Sequence, residues 1–215
     1  MRNVDRPAQP DSLRRNAANW KRELVKQVGR FRGDSSRVPE SFFKHYKKDD
    51  VLQTLKSMYN SCCCYCEGFI SDVSFDRIEH LKPKRKFPRY TFDWNNLHLI
   101  CEKCNIFKSD QYDAKNPILD PVIDKPISQH LTYHFYMVKP LSRRGKTTVS
   151  HPRLNRPELK TARGKIFWET LRIIEAINVN PDDPANDEFI NDLDEKSDGE
   201  YGSLMAYVKQ TFLKI

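Results

Sequence analysis

The chain has 215 residues, of which 38% are hydrophobic and 31% charged, and its formal net charge is +8. No apolar run approaches the ~20 residues that cross a bilayer, and the N-terminus lacks the apolar segment of a secretory signal. These features argue against a membrane protein and predict a cytoplasmic one. Residues 182–215 carry nine acidic and three basic residues, which leaves a net charge of +14 on the remainder. A basic body of this kind favours an anionic partner, most often nucleic acid.

Helices are predicted for the first part of the chain, residues 1–60. Asp11 or Ser12 can cap the first helix, whose apolar residues repeat at helical spacing. Pro39 suits the first turn of a second helix, and a third is expected from Asp50. We expect this N-terminal arm with its helices either to pack beside the next module or to dock a partner.

Two cysteine pairs predict a metal site. All six cysteines lie between positions 62 and 104 in a chain without an export signal, which favours zinc over disulfides. The predicted ligands form two C-x-x-C pairs: Cys63 with Cys66, and Cys101 with Cys104. Cys62 and Cys64 compete with Cys63, which we prefer because its two-residue gap matches the second pair. Four thiolates close a tetrahedral site, so this zinc is expected to be structural.

A strand–loop–strand–helix unit is predicted around these cysteines. Residues 75–80 and 97–100 have the pattern of strands, and a helix should begin near Cys104. Together with the zinc site, this unit defines a central module over residues 61–125. His98 alternates with apolar residues on the second strand, and we expect it to be a half-buried structural histidine, with an approach to the metal as the alternative.

Three polar residues of this module form a candidate catalytic site: Glu79, His80 and Asn105. Adjacent residues on a regular strand point to opposite faces, so Glu79 and His80 reach one site only if the strand ends or bulges there. A neutral imidazole can take a proton from water near pH 7. Carboxylate and amide oxygens are hard ligands that suit Mg²⁺. We therefore predict His80 as the base for phosphodiester cleavage, with Glu79 and Asn105 as ligands of the metal.

Basic residues near this site are candidates for binding nucleic-acid phosphates. Lys82, Lys84 and Arg85 follow His80 directly, and Lys108 lies one helical turn after Asn105. Beside a phosphate site these cations are suited to grip the backbone, and the alternative is an ordinary solvated loop.

The central residues resemble the HNH (ββα-metal) endonucleases. The resemblance is carried by three segments: Glu79-His80, Trp94-Asn95-Asn96-Leu97, and Cys101-Glu102-Lys103-Cys104-Asn105 with Lys108. It implies that His80 is the general base and that Asn96 braces the loop holding it. Asn105 stands where many members have a final histidine, which favours Mg²⁺ or Mn²⁺ over transition metals. The alternative is a zinc-bearing module that binds nucleic acid, or a regulatory assembly subunit, without cleavage.

Weaker motifs are similar to the PtuB effectors, HNH proteins of Septu and retron-linked anti-phage systems. They are Met1-Arg2-Asn3-Val4, the turn Asp120-Pro121…Asp124-Lys125-Pro126, and Leu154-Asn155-Arg156-Pro157-Glu158-Leu159. This resemblance implies a nuclease effector acting on DNA together with a PtuA-like ATPase subunit. The residues themselves do not distinguish DNA from RNA.

The remainder, residues 126–215, is predicted to be a C-terminal helical extension. Two short strands are expected at 133–139 and 147–150, a long helix from Pro157, and a closing helix after a solvated acidic linker at 182–200. The predicted fold class is therefore α+β: a zinc-stabilised ββα-metal nuclease core with N-terminal and C-terminal helical extensions.

Overall fold

A computed structural model describes residues 1–70 and 77–214 of the chain. The elements follow in the order α1 (Asp11–Arg30), α2 (Asp49–Met58), β1 (Arg77–His80), β2 (Leu97–Ile100), α3 (Glu102–Lys108), β3 (Leu131–His134), β4 (Met137–Pro140), α4 (Arg143–Ser150), α5 (Pro157–Val179), α6 (Asn186–Lys196) and α7 (Gly202–Phe212). Both sheets have two antiparallel strands. The predicted α+β class is confirmed, with helical segments flanking a small sheet. Within the described ranges, no helix combines the length and apolar character that a membrane crossing requires.

The N-terminal helices pack against each other and against the central sheet. α1 begins directly after Pro10 and receives no capping bond from its own side chains. Asp50, at the start of α2, accepts hydrogen bonds from the backbone nitrogen and hydroxyl of Ser12, at 2.8 and 2.7 Å. A neighbouring helix thus satisfies the free N–H group at this helix start. The second predicted helix is only a short 3₁₀ turn, Glu40–Phe43.

The central module has the predicted strand–strand–helix order. β1 and β2 pair so that Glu79 lies opposite His98, and β1 ends at His80. α3 begins at Glu102, close to the predicted start. The first part of the predicted strand, residues 75–76, lies outside the described residues. The first cysteine pair is joined to the sheet, since the backbone nitrogen of Cys64 donates to the carbonyl of Leu99 at 2.9 Å.

Two predictions for the C-terminal part were wrong. Residues 133–139 were predicted as one strand, but they turn at residues 135–136 between β3 and β4. Residues 147–150 belong to α4, because the hydroxyl of Ser142 accepts a bond from the backbone of Gly145 at 3.0 Å and caps this helix. A Cβ atom on Gly145 would lie 2.1 Å from the carbonyl oxygen of His130, so this close approach requires glycine.

The acidic segment was predicted as a solvated linker, yet it contains α6. Most of its carboxylates are exposed, but Leu193 is buried against the neighbouring helices. The Nζ atom of Lys209 in α7 also contacts the carboxylate of Asp194 at 2.5 Å. Packing of Leu193 against the neighbouring helices thus orders a segment that charge patterning assigns to solvent, since most helical stability in proteins comes from tertiary contacts.

The three predicted regions share one hydrophobic core. Leu55 of α2, Leu97 of β2 and Leu204 of α7 are fully buried within the same cluster. The residue before α7 is joined to the residue after the first cysteine pair, since the backbone nitrogen of Tyr201 donates to the carbonyl of Glu67 at 3.1 Å. The predicted boundaries at residues 60 and 125 remain predictions, and the regions on both sides of them pack into this one core.

Candidate active site

Four cysteines form a compact cluster at the base of the central module. The sulfur atoms of Cys63, Cys66, Cys101 and Cys104 all lie within 4.8 Å of one another. The separation between Cys66 and Cys101 is 3.8 Å. A tetrahedral zinc with bonds of about 2.3 Å sets its sulfurs about 3.8 Å apart, so the cluster fits this metal. The cluster contains Cys63, the cysteine whose spacing to Cys66 equals the spacing of the second pair. Cys62 lies outside the cluster, and its thiol donates to the carbonyl of Asn60.

Hydrogen bonding among the four sulfurs favours one thiolate in the cluster, at Cys101. Hydrogen bonds from Cys104, Cys63 and Cys66 hold the pKa of the Cys101 thiol far below its usual range. Burial raises the pKa of Cys63. A guanidinium nitrogen of Arg156 donates to the Cys104 sulfur at 3.3 Å and places positive charge beside the cluster. When zinc is bound, these cysteines would join the segment that carries Cys63 and Cys66 to the start of α3.

His80 is the last residue of β1, and its ring is held in one orientation. The Nε2 atom lies 3.0 Å from the carbonyl oxygen of Thr91. Because a carbonyl only accepts, Nε2 must carry the proton, which leaves Nδ1 of the neutral ring with a free lone pair. Tyr46 packs edge-on against this ring with 4.6 Å between centroids. Burial lowers the pKa of His80 to about 3, so the imidazole is neutral at pH 7.

Asn96 braces the loop between the two strands. Its Oδ1 atom accepts from the backbone nitrogen of Lys82 at 2.7 Å. Its Nδ2 atom donates to the carbonyls of Lys82 and Tyr90 at 3.1 and 3.0 Å. These three bonds fix both ends of the loop that carries Thr91, the partner of His80. Asn96 is thus placed as a positioning residue, consistent with the bracing role that the resemblance implies.

Glu79, His80 and Asn105 line one cavity of about 680 Å³. β1 ends at His80, and this is the condition under which the adjacent residues Glu79 and His80 can both face the cavity. Glu79 is only 5% exposed, and burial raises the pKa of its carboxyl group, opposed by the charge of Lys108. Asn105 is half-buried on α3. One carboxylate and one amide beside a cavity supply hard oxygen donors, which fit Mg²⁺ or Mn²⁺.

Lys108 does not face the cavity surface where a substrate phosphate was expected. Its side chain is 1% exposed and its ammonium contacts the carboxylate of Glu79. It also donates to the backbone carbonyl of His80 at 3.1 Å. The physical reason is that a buried carboxylate requires a counter-charge, and α3 brings this lysine within reach.

The basic loop after His80 is used in three different ways. Arg85 pairs with Glu40 and donates to the carbonyls of Ser35 and Val38 at 2.6 and 2.9 Å. It therefore fastens the loop to the N-terminal region instead of presenting a free cation. Lys84 also contacts Glu40, at 2.6 Å, but lines the cavity. The Nζ atom of Lys82 lies 4.2 Å from the centroid of the Tyr90 ring.

Sequence reasoning missed one side of this cavity. Tyr46, Lys47 and Lys48 line it from the segment that precedes α2. Arg77, which forms an ion pair with Glu102 at 3.1 Å, lines it from β1. No sequence pattern connects Lys47 with His80, because their proximity depends on how α2 packs on the sheet. His98, by contrast, is fully buried, more deeply than the half-buried structural histidine that the pattern predicted.

Residues 63–111 match the family model of the HNH endonucleases. The matched range contains both cysteine pairs, β1, β2 and α3, and it includes Glu79, His80, Asn96 and Asn105. This part of the chain is therefore similar to an HNH endonuclease domain, as the sequence motifs indicated.

The chain is also similar to the Septu protein PtuB. It is 33% identical to the protein of Bacillus thuringiensis over 132 residues, which are 60% of this chain and 51% of that relative. It is 31% identical to the protein of Bacillus mycoides (strain KBAB4) over 157 residues, covering 58% of this chain and 53% of the relative. The chain thus spans about half the length of the curated relatives it matches.

Proposed function

We propose that this protein is a metal-dependent endonuclease that hydrolyses phosphodiester bonds in DNA. The observation that carries the proposal is the environment of His80, whose neutral ring is fixed on the carbonyl of Thr91. The same cavity contains the hard oxygen donors of Glu79 and Asn105. The match to the HNH endonucleases supports this assignment independently.

The proposed role of His80 is to take a proton from the attacking water. The bond to Thr91 keeps the proton on Nε2, so Nδ1 is the atom that accepts. A phosphodiester anion in the cavity would raise the pKa of the buried ring, because opposite charges favour the protonated form. The base therefore strengthens when substrate is bound.

Glu79 and Asn105 would hold a divalent cation beside the scissile phosphate. When bound, Mg²⁺ or Mn²⁺ supplies charge neutralisation on the phosphate and on the leaving oxygen. Lys108 contacts the carboxylate of Glu79 and the carbonyl of His80, and so fixes both residues relative to each other. Lys84 lies at the cavity wall as a candidate contact to the DNA backbone.

The similarity to PtuB supports a second part of the proposal, that the protein functions in anti-phage defence. We propose that the protein acts in the cytosol as the nuclease effector of a Septu-like system with a PtuA-like ATPase subunit. The partner would then control when the nuclease acts, since contacts to phosphates give affinity but little sequence selectivity.

The proposal is tested by incubating supercoiled plasmid with the protein, with Mg²⁺ or with a chelator, and with or without the ATPase. Wild-type protein should nick the plasmid in Mg²⁺, and His80→Ala should lose at least 10²-fold in rate. His134→Ala, which removes an exposed histidine of β3, is the matched control. Binding of plasmid without any metal-dependent nicking would favour the alternative, a zinc-bearing binding module.

A further inference from the structure

One wall of the catalytic cavity lies outside the HNH domain. The matched range begins at residue 63, whereas Tyr46, Lys47 and Lys48 line the same cavity from the N-terminal region. We refer to residues 46–48 as the N-terminal wall.

The N-terminal wall is held firmly next to His80. Tyr46 is buried, with its ring edge-on to the imidazole of His80 at 4.6 Å. On the other side, α2 begins at Asp49 and is tied to α1 by the two hydrogen bonds between Asp50 and Ser12. The backbone that carries Lys47 and Lys48 is therefore held beside the candidate base, while their exposed side chains extend from it; the Nζ atom of Lys48 lies 5.9 Å from the centroid of the Trp20 ring.

The two lysines of this wall share the cavity with the carboxylates of Asp49 and Asp110 but are not paired with them. Lys47 and Lys48 are both exposed, and within residues 1–70 and 77–214 neither forms an ion pair with a carboxylate. The nearby acid Glu40 is already shared by Lys84 and Arg85. Partial burial, followed by repulsion from Lys84 and Lys44, lowers the pKa of Lys47. An anion entering the cavity would relieve this repulsion between like charges.

We propose that Lys47 and Lys48 bind backbone phosphates of the DNA strand next to the scissile bond. This inference rests on the proposed nuclease function and adds a substrate contact contributed by the N-terminal region. It also gives that region a function besides packing: the cleft that holds the strand is formed by two parts of the chain, the HNH domain and the N-terminal wall.

The test is DNA binding by the double variant Lys47→Gln/Lys48→Gln. All proteins carry His80→Ala, and binding of a fluorescent duplex is measured without Mg²⁺ or Mn²⁺, so that the result does not depend on cleavage. The affinity should fall roughly tenfold for each lost contact near 0.1 M salt, and the slope of log K against log salt should become less negative by about 1 to 2. Lys47→Arg/Lys48→Arg should restore both values.

The matched control is Lys26→Gln/Lys165→Gln, which removes two exposed lysines from α1 and α5 that do not line the cavity. Thermal unfolding and zinc content confirm that each variant is folded. If the wall variant binds DNA with the same slope as this control, the inference is overturned even where wild-type protein cleaves plasmid. If wild-type protein never cleaves but the wall variant alone loses binding, the proposed function fails and the DNA contact stands.

Discussion

The ammonium group of Lys108 lies against the carboxylate of Glu79, and both side chains are almost fully buried. Glu79, the proposed metal ligand, lines the cavity, whereas Lys108 contacts its carboxylate without lining the cavity itself. Lys108 thus neutralises a carboxylate that desolvation would otherwise force to take up a proton.

Removing this ammonium should destabilise the fold. Lys108→Met leaves a buried carboxylate without its partner, and we expect the free energy of unfolding to fall by about 3–5 kcal/mol. Adding Glu79→Gln to that variant should recover a large part of the loss, because the unpaired charge is then absent. Urea unfolding of the two single variants and the double variant, without added Mg²⁺ or Mn²⁺, measures the coupling. Strictly additive effects would show that the two groups do not interact.

A second prediction concerns the loop that holds His80. Asn96→Ala removes three hydrogen bonds to Lys82 and Tyr90. At roughly 1 kcal/mol each, the variant should lose about 3 kcal/mol of stability in urea unfolding. The neighbouring Asn95→Ala, at an exposed position, is the matched control and should lose much less.

The same variant should also impair cleavage, since the loop carries the Thr91 carbonyl that orients the imidazole. We expect a lower kcat with zinc still bound, measured at a temperature where Asn96→Ala remains folded. Full activity together with the expected loss of stability would mean that the loop does not position His80.

Local spacing explains why much of the central module was predictable. The C-x-x-C pairs, β2 and the start of α3 each depend on residues only a few positions apart, and the ligand chemistry of cysteine is specific. The proposed site required β1 to end or to bulge at Glu79 and His80, and β1 ends at His80.

The orientation of the Lys108 side chain and the position of the N-terminal wall beside His80 were not predictable from local spacing. Helical spacing places Lys108 one turn from Asn105, but burial and the charge of Glu79 turn its side chain inward. Lys47 is more than thirty positions before His80, and their approach follows from packing of α2 on β2. Long-range packing leaves no periodic signature in a single sequence.

The cysteine cluster gives a prediction with an internal control. Cys66→Ser should abolish zinc binding and unfold the central module, because structural zinc contributes roughly 10–16 kcal/mol of apparent binding free energy. Cys64→Ala removes a buried thiol that is outside the cluster and should keep one zinc per chain. Zinc content by mass spectrometry and thermal unfolding distinguish the two variants. A zinc-free Cys66→Ser protein with wild-type stability would contradict the structural role.

The burial of His80 predicts a specific dependence of stability on pH. The unfolded imidazole has a pKa near 6.5, whereas the folded one has a pKa of about 3. Between these values the unfolded state binds the extra proton, so this contribution is complete above pH 6.5 and is lost as the pH falls toward 3. At pH 4 the loss relative to pH 7 should be about 3 kcal/mol.

His80→Asn should lack this contribution while keeping an amide donor near the Thr91 carbonyl. Urea unfolding of wild type and variant at several values between pH 4 and pH 7 gives the difference in free energy, in which the other titrating groups cancel. His134→Asn controls for the loss of a histidine as such. We expect the advantage of wild type over His80→Asn to shrink by about 3 kcal/mol across this range. A constant difference would mean that His80 has the same pKa in the folded and unfolded states. The ring would then be exposed to water in the folded protein, and the proposed fixed tautomer would have to be abandoned.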